Sequence, residues 1–316
     1  MSARDSLLAT LAVLKDCLND AALIDKSPAD VAHNARARML RQGLAVLVFS
    51  TVETFIRERT GEVLRSFSNP LLAFTDLSPA LQRATTLGAL EGVRFRLRLQ
   101  PTATKISWLI ANLAPISGAT TNVQGLSDHA FGYAGSNIDE GEVERILKSF
   151  GVDAPWGQVT SLTARFGVAT LDAGAEFESI KKRRHSAAHA LTGQVLYVDL
   201  QNSVRSSLAI CLAFDLLLSH AGGLLNAKVG PGHMGRPQLT HGDVEIVFVA
   251  PRNGATGFAV KREQLPPPSP ALKRTTIRTF PTEAAAVTYG DQYATSRRRQ
   301  LVILEATGTP AKWVTW

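Results

Sequence analysis

Arg183-Arg184-His185-Ser186-Ala187-Ala188-His189 is the stretch on which the fold reading turns. It closes a segment, Leu171 to Ala190, whose pattern predicts an amphipathic helix. At about 100° per residue, Phe177, Ile180, Ala187, Ala188 and Leu191 fall on one stripe, and Arg184 falls inside it. A guanidinium within an apolar stripe breaks the binary pattern, as expected where a side chain serves function or is held by a partner. His185 and His189 lie four apart on the flank of that stripe. Arginine offers a planar, permanently charged donor set to a crowded phosphate, and histidine moves protons near neutral pH. A helix carrying both is equipped to cleave RNA without a metal. The competing reading is a solvated basic stretch, Lys181 to His185, followed by an ordinary helix histidine.

Outward from this stretch the chain reads as helical up to about residue 228. A first helix is predicted from Asp5 to Ala22. Ser27-Pro28 signals the start of a second, which reaches Phe67 and stops at Asn69-Pro70. Gly43 and Gly61 are weak points in it, and Leu44 to Phe49 is apolar on all sides, marking a central core helix. Residues 70 to 135 are harder to read, apart from a helical Trp108 to Leu113. A short helix spans Asn137 to about Gly151, and a long apolar one covers Val195 to Leu225.

Gly230-Pro231-Gly232 marks a boundary after which the texture changes. Val244 to Ala250 predicts a strand, Asn253-Gly254 a turn and Gly257 to Lys261 the returning strand. Leu265 to Pro270 carries four prolines and predicts an extended loop. Thr282 caps a helix to about Ser296, followed by strands at Leu301 to Glu305 and Lys312 to Trp316. The expected architecture is a mainly α-helical bundle over residues 1–228, a linker over 229–241 and a small basic ββαββ α+β domain over 242–316.

The chain has 316 residues, 45% of them hydrophobic and 19% charged, which fits a globular protein with a sizeable core and excludes a disordered tail. The formal net charge of +7 favours an anionic partner such as nucleic acid. Most of the basicity lies after Gly230, with 11 Lys/Arg against 6 Asp/Glu. Cys17 and Cys211 are the only cysteines, too few for a disulfide framework or a zinc site, which fits a cytoplasmic setting. No signal peptide and no uncharged apolar run of about 18 residues is visible, so no membrane partner is expected.

Phe177 to Ala190 resembles the signature helix of the HEPN superfamily: an arginine, a polar residue, then a histidine a few positions on. His185 fills the polar position. Arg38 to Phe67, with its embedded Glu53, is similar to the long apolar helix of the branch called RiboL-PSP type. Gly135-Ser136-Asn137 leading into Val143 to Gly151 is similar to the short helix ahead of the motif. The resemblance covers roughly residues 5 to 225. It implies a helical bundle that forms a homodimer through the motif helix, so that two Arg/His pairs share one cleft. Many members are metal-independent endoribonucleases, with no cofactor. By that resemblance His189 would be general base or acid, Arg184 would stabilise the phosphorane, and His185 would position the phosphate or help transfer protons. The product would be a 2′,3′-cyclic phosphate. The resemblance also implies RNA as partner and a bacterial defence or toxin setting with a possible antitoxin or regulatory protein. Its alternative is an inactive HEPN dimer that binds RNA, a nucleotide or a protein. Leu191 stands where some members carry a modified tyrosine, so that regulation is not expected.

Weaker candidates complete the set. Glu53 or Asp215 would hold Arg184 by a charge-assisted hydrogen bond, and Arg183 would support the site. Asp128-His129 reads as a surface loop that could line a cleft. His233 and His241 have no ligand-spaced Cys or carboxylate, so no metal site is expected. Residues 240–316 resemble a short, uncharacterised bacterial ββαββ family through Val249 to Gly254, Phe258 to Arg262, Thr282 to Ala285 and Gly308; no activity follows from it. With Lys181 and Lys182, residues Lys261, Arg262, Lys273, Arg274, Arg278, Arg297, Arg298 and Arg299 offer a nucleic-acid surface, with Phe258, Tyr289, Trp313 and Trp316 as stacking rings or strand core. Such a domain could also cap the cleft.

Overall fold

The helix Tyr197–Asn226 (α9) runs through the middle of the helical region, buried on every face from Ser206 to Gly222. Its sequence is apolar or small all round over that stretch, as a core helix must be. It is long and apolar enough to cross a membrane by composition, as is Val31–Arg65 (α2), yet 89% of the apolar window of α9 is buried inside the protein. The computed structural model describes residues 1–133, 137–168, 172–189, 194–228, 238–263 and 274–315.

α9 packs against Ala3–Cys17 (α1), α2, Glu140–Ser149 (α6), Pro155–Arg165 (α7) and Ala173–His189 (α8), and Pro79–Arg83 (α3), Ala89–Leu97 (α4) and Lys105–Gly118 (α5) complete the helices of this region. Local chemistry sets their starts. Ser2 and Asp5 form a capping box on α1, Asp139 caps α6 and Pro155 opens α7. α1 ends at Cys17, short of Ala22, because Asp20 caps a separate turn, Ala21–Leu23. α2 begins at Val31 because Ser27 closes a turn onto Asp30 before the helix starts. It runs unbroken through Gly43 and Gly61. Gly61 is a site of close approach, since a Cβ there would lie 2.7 Å from Cβ of Asp128. Leu47 is 54% exposed, so the middle of α2 is half core and not apolar-covered on all sides. A π-helical turn, Ala84–Gly88, joins α3 to α4 inside the region the sequence left unread.

The C-terminal part is a mixed five-stranded sheet with one helix. The strands are Ile246–Pro251 (β1), Phe258–Glu263 (β2), Arg274–Phe280 (β3), Gln300–Leu304 (β4) and Pro310–Val314 (β5), in the order β3-β2-β1-β4-β5. Only β1 and β4 pair in parallel. The helix Glu283–Thr295 (α10) is capped by Thr282. The expected ββαββ module is therefore a βββαββ module. The strand missed is β3, an edge strand whose alternation is blurred because it buries little. The β1–β2 connection turns as expected, and Gly257 at its end has φ +91° with Phe280 O only 2.4 Å from a built Cβ.

Successive β1 residues face opposite sides, and both sides are covered. Ile246, Phe248 and Ala250 join the bundle core, as do Val302, Leu304 and Trp313. Val247, Val249, Leu301 and Ile303 form a second core with Ala286 and Ala294 of α10. One hydrophobic core thus extends from the bundle into the sheet. The Gly230-Pro231-Gly232 boundary, the Pro266 to Pro270 loop, Leu191, Gly135-Ser136, His233, Lys273 and Trp316 lie outside the described residues.

An ionic knot locks the same seam. Asp215 of α9 is fully buried and accepts from Arg4 Nε at 2.5 Å, Arg59 Nε at 2.6 Å, Ser219 Oγ at 2.6 Å and Trp313 Nε1 at 2.6 Å. Burial alone would raise its pKa, but the charges of Arg59 and Arg4 and their hydrogen bonds prevail and hold the carboxyl at about 2. Four elements far apart in sequence, α1, α2, α9 and β5, meet on this one carboxylate.

His220, one turn further along α9, gives the seam a pH dependence. It is buried, and burial holds its pKa down to about 4 against the opposing charges of Asp243 and Glu245. Between pH 6.5 and 4 the unfolded chain therefore binds a proton that the folded protein refuses, so stability falls as pH falls through that window, by about 3 kcal/mol in all. Asp215 acts only below it, losing its contribution as pH drops from about 4 toward 2. Urea midpoints measured at pH 7 and pH 4.5 should show the loss in wild type and a clearly smaller one in His220→Gln. An equal loss in both would contradict the assignment.

Candidate functional site

α8 is buried over its first half and emerges over its second. Ala173, Gly174, Phe177 and Ile180 are buried, with Phe177 packed between Phe49 and Trp156. Arg184 and Ala187 are half-buried, while His185, Ala188 and His189 are exposed. The predicted apolar stripe is thus real as far as Ile180, and Arg184 sits where the helix leaves the core. A guanidinium is tolerated there because its stem packs while its head reaches the surface.

The four cations before His185 have different fates. Lys181 Nζ lies 2.5 Å from Glu178 and 3.5 Å from Glu140. Lys182 lies 3.7 Å from Glu178. Arg183 donates to Ser203 Oγ at 3.1 Å and lies 3.7 Å from Glu176 and 3.8 Å from Asp199, so it ties α8 to α9. Arg184 has no carboxylate within ion-pair distance among the described residues, and its buried Nε has no hydrogen-bond partner there. Lys181, Lys182 and Arg183 are therefore largely neutralised. Arg184 keeps only a longer-range attraction to Glu53.

On the same end of α8, the His185 and His189 rings meet in a tilted pair, with centroids 4.7 Å apart at 49°. Both rings are exposed. One helical turn separates them, which is the geometry an i,i+4 pair must have. The arrangement places two imidazoles and one unneutralised guanidinium on the emergent end of a single helix. Its chemical capacity is anion recognition next to proton transfer.

Glu53 is buried on α2 and accepts from the Ile138 backbone N–H at 2.6 Å, with Arg57 3.7 Å away. Burial raises its pKa, opposed by that N–H, by Arg57 and by the charge of Arg184. Glu53 thus shares the electrostatic neighbourhood of Arg184 without a direct hydrogen bond to it. The alternative partner, Asp215, is corrected: it is consumed by Arg4, Arg59, Ser219 and Trp313 at the sheet.

Asp128-His129 is not a plain surface loop. His129 is buried, with Nε2 2.9 Å from Asn112 Oδ1 and its ring against Trp108 and Tyr133. Burial holds its pKa down, opposed by Asp128 and reinforced by Arg96 and Arg65. Sequence reasoning missed this cluster because its partners lie on α5 and α2, far along the chain. The signal available was the run of aromatics, Phe131 and Tyr133, beside the histidine.

The basic tail surface is brought together only in part. Arg262 pairs across β1 at Val247 and Arg299 abuts Gln300, opposite Ile246, so both stand at one end of the sheet. Arg299 is neutralised by Glu245, and Arg297 lies over the Tyr293 ring at 4.1 Å. Lys261 is half-buried on β2, while Arg298 is exposed with φ +54°. Trp313 is not a stacking platform: it is buried on Asp215 and Phe55. Phe258 and Tyr289 pack against the second core. His241 contacts Gln158. Among the described residues no cluster of three His, Cys, Asp or Glu is placed to hold a metal ion.

No protein-family model, curated protein or solved structure matches the chain. The α8 site is thus defined by its own geometry.

Proposed function

We propose that the chain is a homodimeric, metal-independent endoribonuclease of HEPN type, cleaving RNA at the emergent end of α8. One observation carries this. Of four consecutive cations on α8, Arg184 alone among the described residues lacks an ion-pair partner, and it shares the emergent end of the helix with two exposed imidazoles in contact with each other. A charge kept unneutralised at a half-buried position costs stability, and a phosphate arriving there would offset that cost. In the proposed reaction the ribose 2′-oxygen attacks its neighbouring phosphorus and the 5′-oxygen leaves. His189 takes the first proton or supplies the second, and His185 assists. Arg184 stabilises the charge of the five-coordinate phosphorane.

Dimerisation has its own support. Arg41 Nε donates to Val195 O at 2.7 Å, which sets the first third of α2 beside the entry to α9. Met39, Leu40 and Leu47 on α2 are exposed and, with Leu23 and Leu44, line one apolar groove. Exposed apolar residues in such a group favour a protein contact. From the resemblance we take the setting, a bacterial defence or toxin system, with an antitoxin or regulatory protein as candidate partner.

The test is the end chemistry of RNA incubated with the full chain in EDTA. The expected products carry 2′,3′-cyclic phosphate and 5′-hydroxyl ends. Products with 3′-hydroxyl ends would reject 2′-oxygen attack. Binding of RNA or nucleotide without any cleavage would assign the chain to the inactive, binding class.

A further inference from the structure

Away from α8, the seam between bundle and sheet holds a cavity of about 410 Å³. Its floor is the last turn of α7 with Phe166 to Val168. Its walls are Arg205 of α9 and Arg274 of β3, and the β4–β5 turn Thr307-Gly308-Thr309 closes it. Three arginines, with Arg165, line it, and among the described residues no carboxylate does.

The three arginines differ in what they have left to give. Arg165 is 3% exposed and saturated: it donates to His241 O and Val244 O, both at 2.8 Å, and to Glu263. Arg274 lies over the Phe248 ring at 3.9 Å and donates Nη2 to Arg165 O at 2.5 Å. Its Nε pairs with Glu263 at 3.9 Å, an ion pair beyond hydrogen-bond reach, so among the described residues its remaining N–H groups make no hydrogen bond. Arg205 is exposed, has no carboxylate within ion-pair distance among the described residues, and makes one long contact, 3.4 Å to Gly167 O. Opposite, the Thr307 hydroxyl donates to Thr309 Oγ1 at 3.1 Å, which leaves the Thr309 hydroxyl proton available.

Capping of the α7 C-terminus accounts for one donor of Arg274 and the weak contact of Arg205. It does not account for a cavity with donors converging from three elements. A single carboxylate, Glu263, serves both Arg165 and Arg274, so positive charge is in excess. Consistent with that excess, burial lowers the pKa of Arg274, and Arg165 pushes the same way against Glu263.

We propose that this cavity binds the phosphoryl group of a small phosphorylated ligand, clamped by Arg205 and Arg274 and oriented by the Thr309 hydroxyl. Planar guanidinium forks suit phosphate oxygens, and the volume leaves room for more than the phosphate itself. The site shares no residue with α8, so it stands or falls separately from the nuclease reading.

Isothermal titration of the full chain with inorganic pyrophosphate, and separately with a nucleoside triphosphate, tests it. Saturable binding to a single site is expected. Arg205→Ala should weaken it about 10- to 100-fold, the loss of a charge-assisted bidentate contact, with Arg205→Lys between the two. Thr309→Val should weaken it several-fold. Arg205 is exposed, so the variant should melt like wild type. Arg98→Ala, which removes an exposed charge at the end of α4, should leave binding unchanged. Tighter binding of the nucleotide than of pyrophosphate would identify a nucleotide as the natural source, and equal binding a simpler phosphate. The proposal is overturned by no saturable binding of either probe, by Arg205→Ala binding like wild type, or by Arg98→Ala weakening binding equally. It is also overturned if an RNA oligonucleotide occupies the cavity and neither small probe does.

Discussion

Asp215→Ala should cost about 3–5 kcal/mol of folding stability, the largest single effect expected in the sequence. The carboxylate is fully buried and is the common acceptor for Arg4, Arg59, Ser219 and the Trp313 indole N–H. Removing it leaves two guanidinium groups facing each other, with side chains only 17% and 12% exposed, and an indole donor with no acceptor. Asp215→Asn keeps the shape and an acceptor oxygen but not the charge, so it should cost less than Ala and still well over 1 kcal/mol. The exposed pair Lys148–Glu144 is the contrast: Glu144→Ala should shift stability by no more than about 0.5 kcal/mol. Urea unfolding followed by Trp fluorescence checks all three. A cost for Asp215→Ala as small as that for Glu144→Ala would mean that the knot does not hold the sheet to the bundle. The same geometry bears on removal of the C-terminal part. Lifting a cap from the cleft by truncation near residue 230 would also strip Phe248, Val302 and Trp313 from the bundle core, so lost stability is expected to dominate any gain in activity.

His189→Ala should lower RNA cleavage in EDTA by about 10²–10⁴-fold while leaving the unfolding midpoint in place. The two halves of this expectation have one cause. His189 is exposed and makes no carboxylate pairing among the described residues, so little structure depends on it. Arg184→Ala should cost about 10²–10³-fold, the range for removing one donor to transition-state charge. It should leave stability within about 0.5 kcal/mol of wild type, because the guanidinium makes no ion pair among the described residues and attracts Glu53 only at longer range. Conversely, Arg183→Ala should lower stability by about 1 kcal/mol through the lost ties to Ser203, Glu176 and Asp199, with cleavage retained once the protein is folded. Single-turnover rates and melting curves on the same preparations separate the cases. Cleavage unaffected by either Arg184→Ala or His189→Ala would remove the proposed site. A drop that tracks melting temperature across the series would reduce its residues to structural ones.

The same residues show what could be read in advance. The helix carrying the motif, the long apolar helix after it and the change to strands near residue 240 were all legible, because each is written in contiguous periodicity. The Asn253-Gly254 turn was legible for the same reason. β3 was not: at the edge of the sheet its burial pattern follows no clean alternation, and its Thr-rich run carried only a propensity signal. α7 passed unread because its core face, Val159 and Leu162, is short and flanked by small polar residues. At the site, the oddness of Arg184 was visible as a charge on an apolar stripe. What could not be seen was that its neighbours on the same helix are quenched.

The sequence by itself determined the local periods: which segments become helices, where the chain turns, and that a guanidinium and two imidazoles share one helix. Backbone hydrogen bonding and side-chain alternation act over a few residues, so a linear reading suffices for them. Tertiary structure alone decided the charges. Arg183 was spent on Ser203 and Asp199, Asp215 on Arg4, Arg59 and Trp313, and His129 was drawn inside against Asn112. Coulombic pairing and desolvation depend on distance through space, and the partners here lie up to 211 positions apart along the chain.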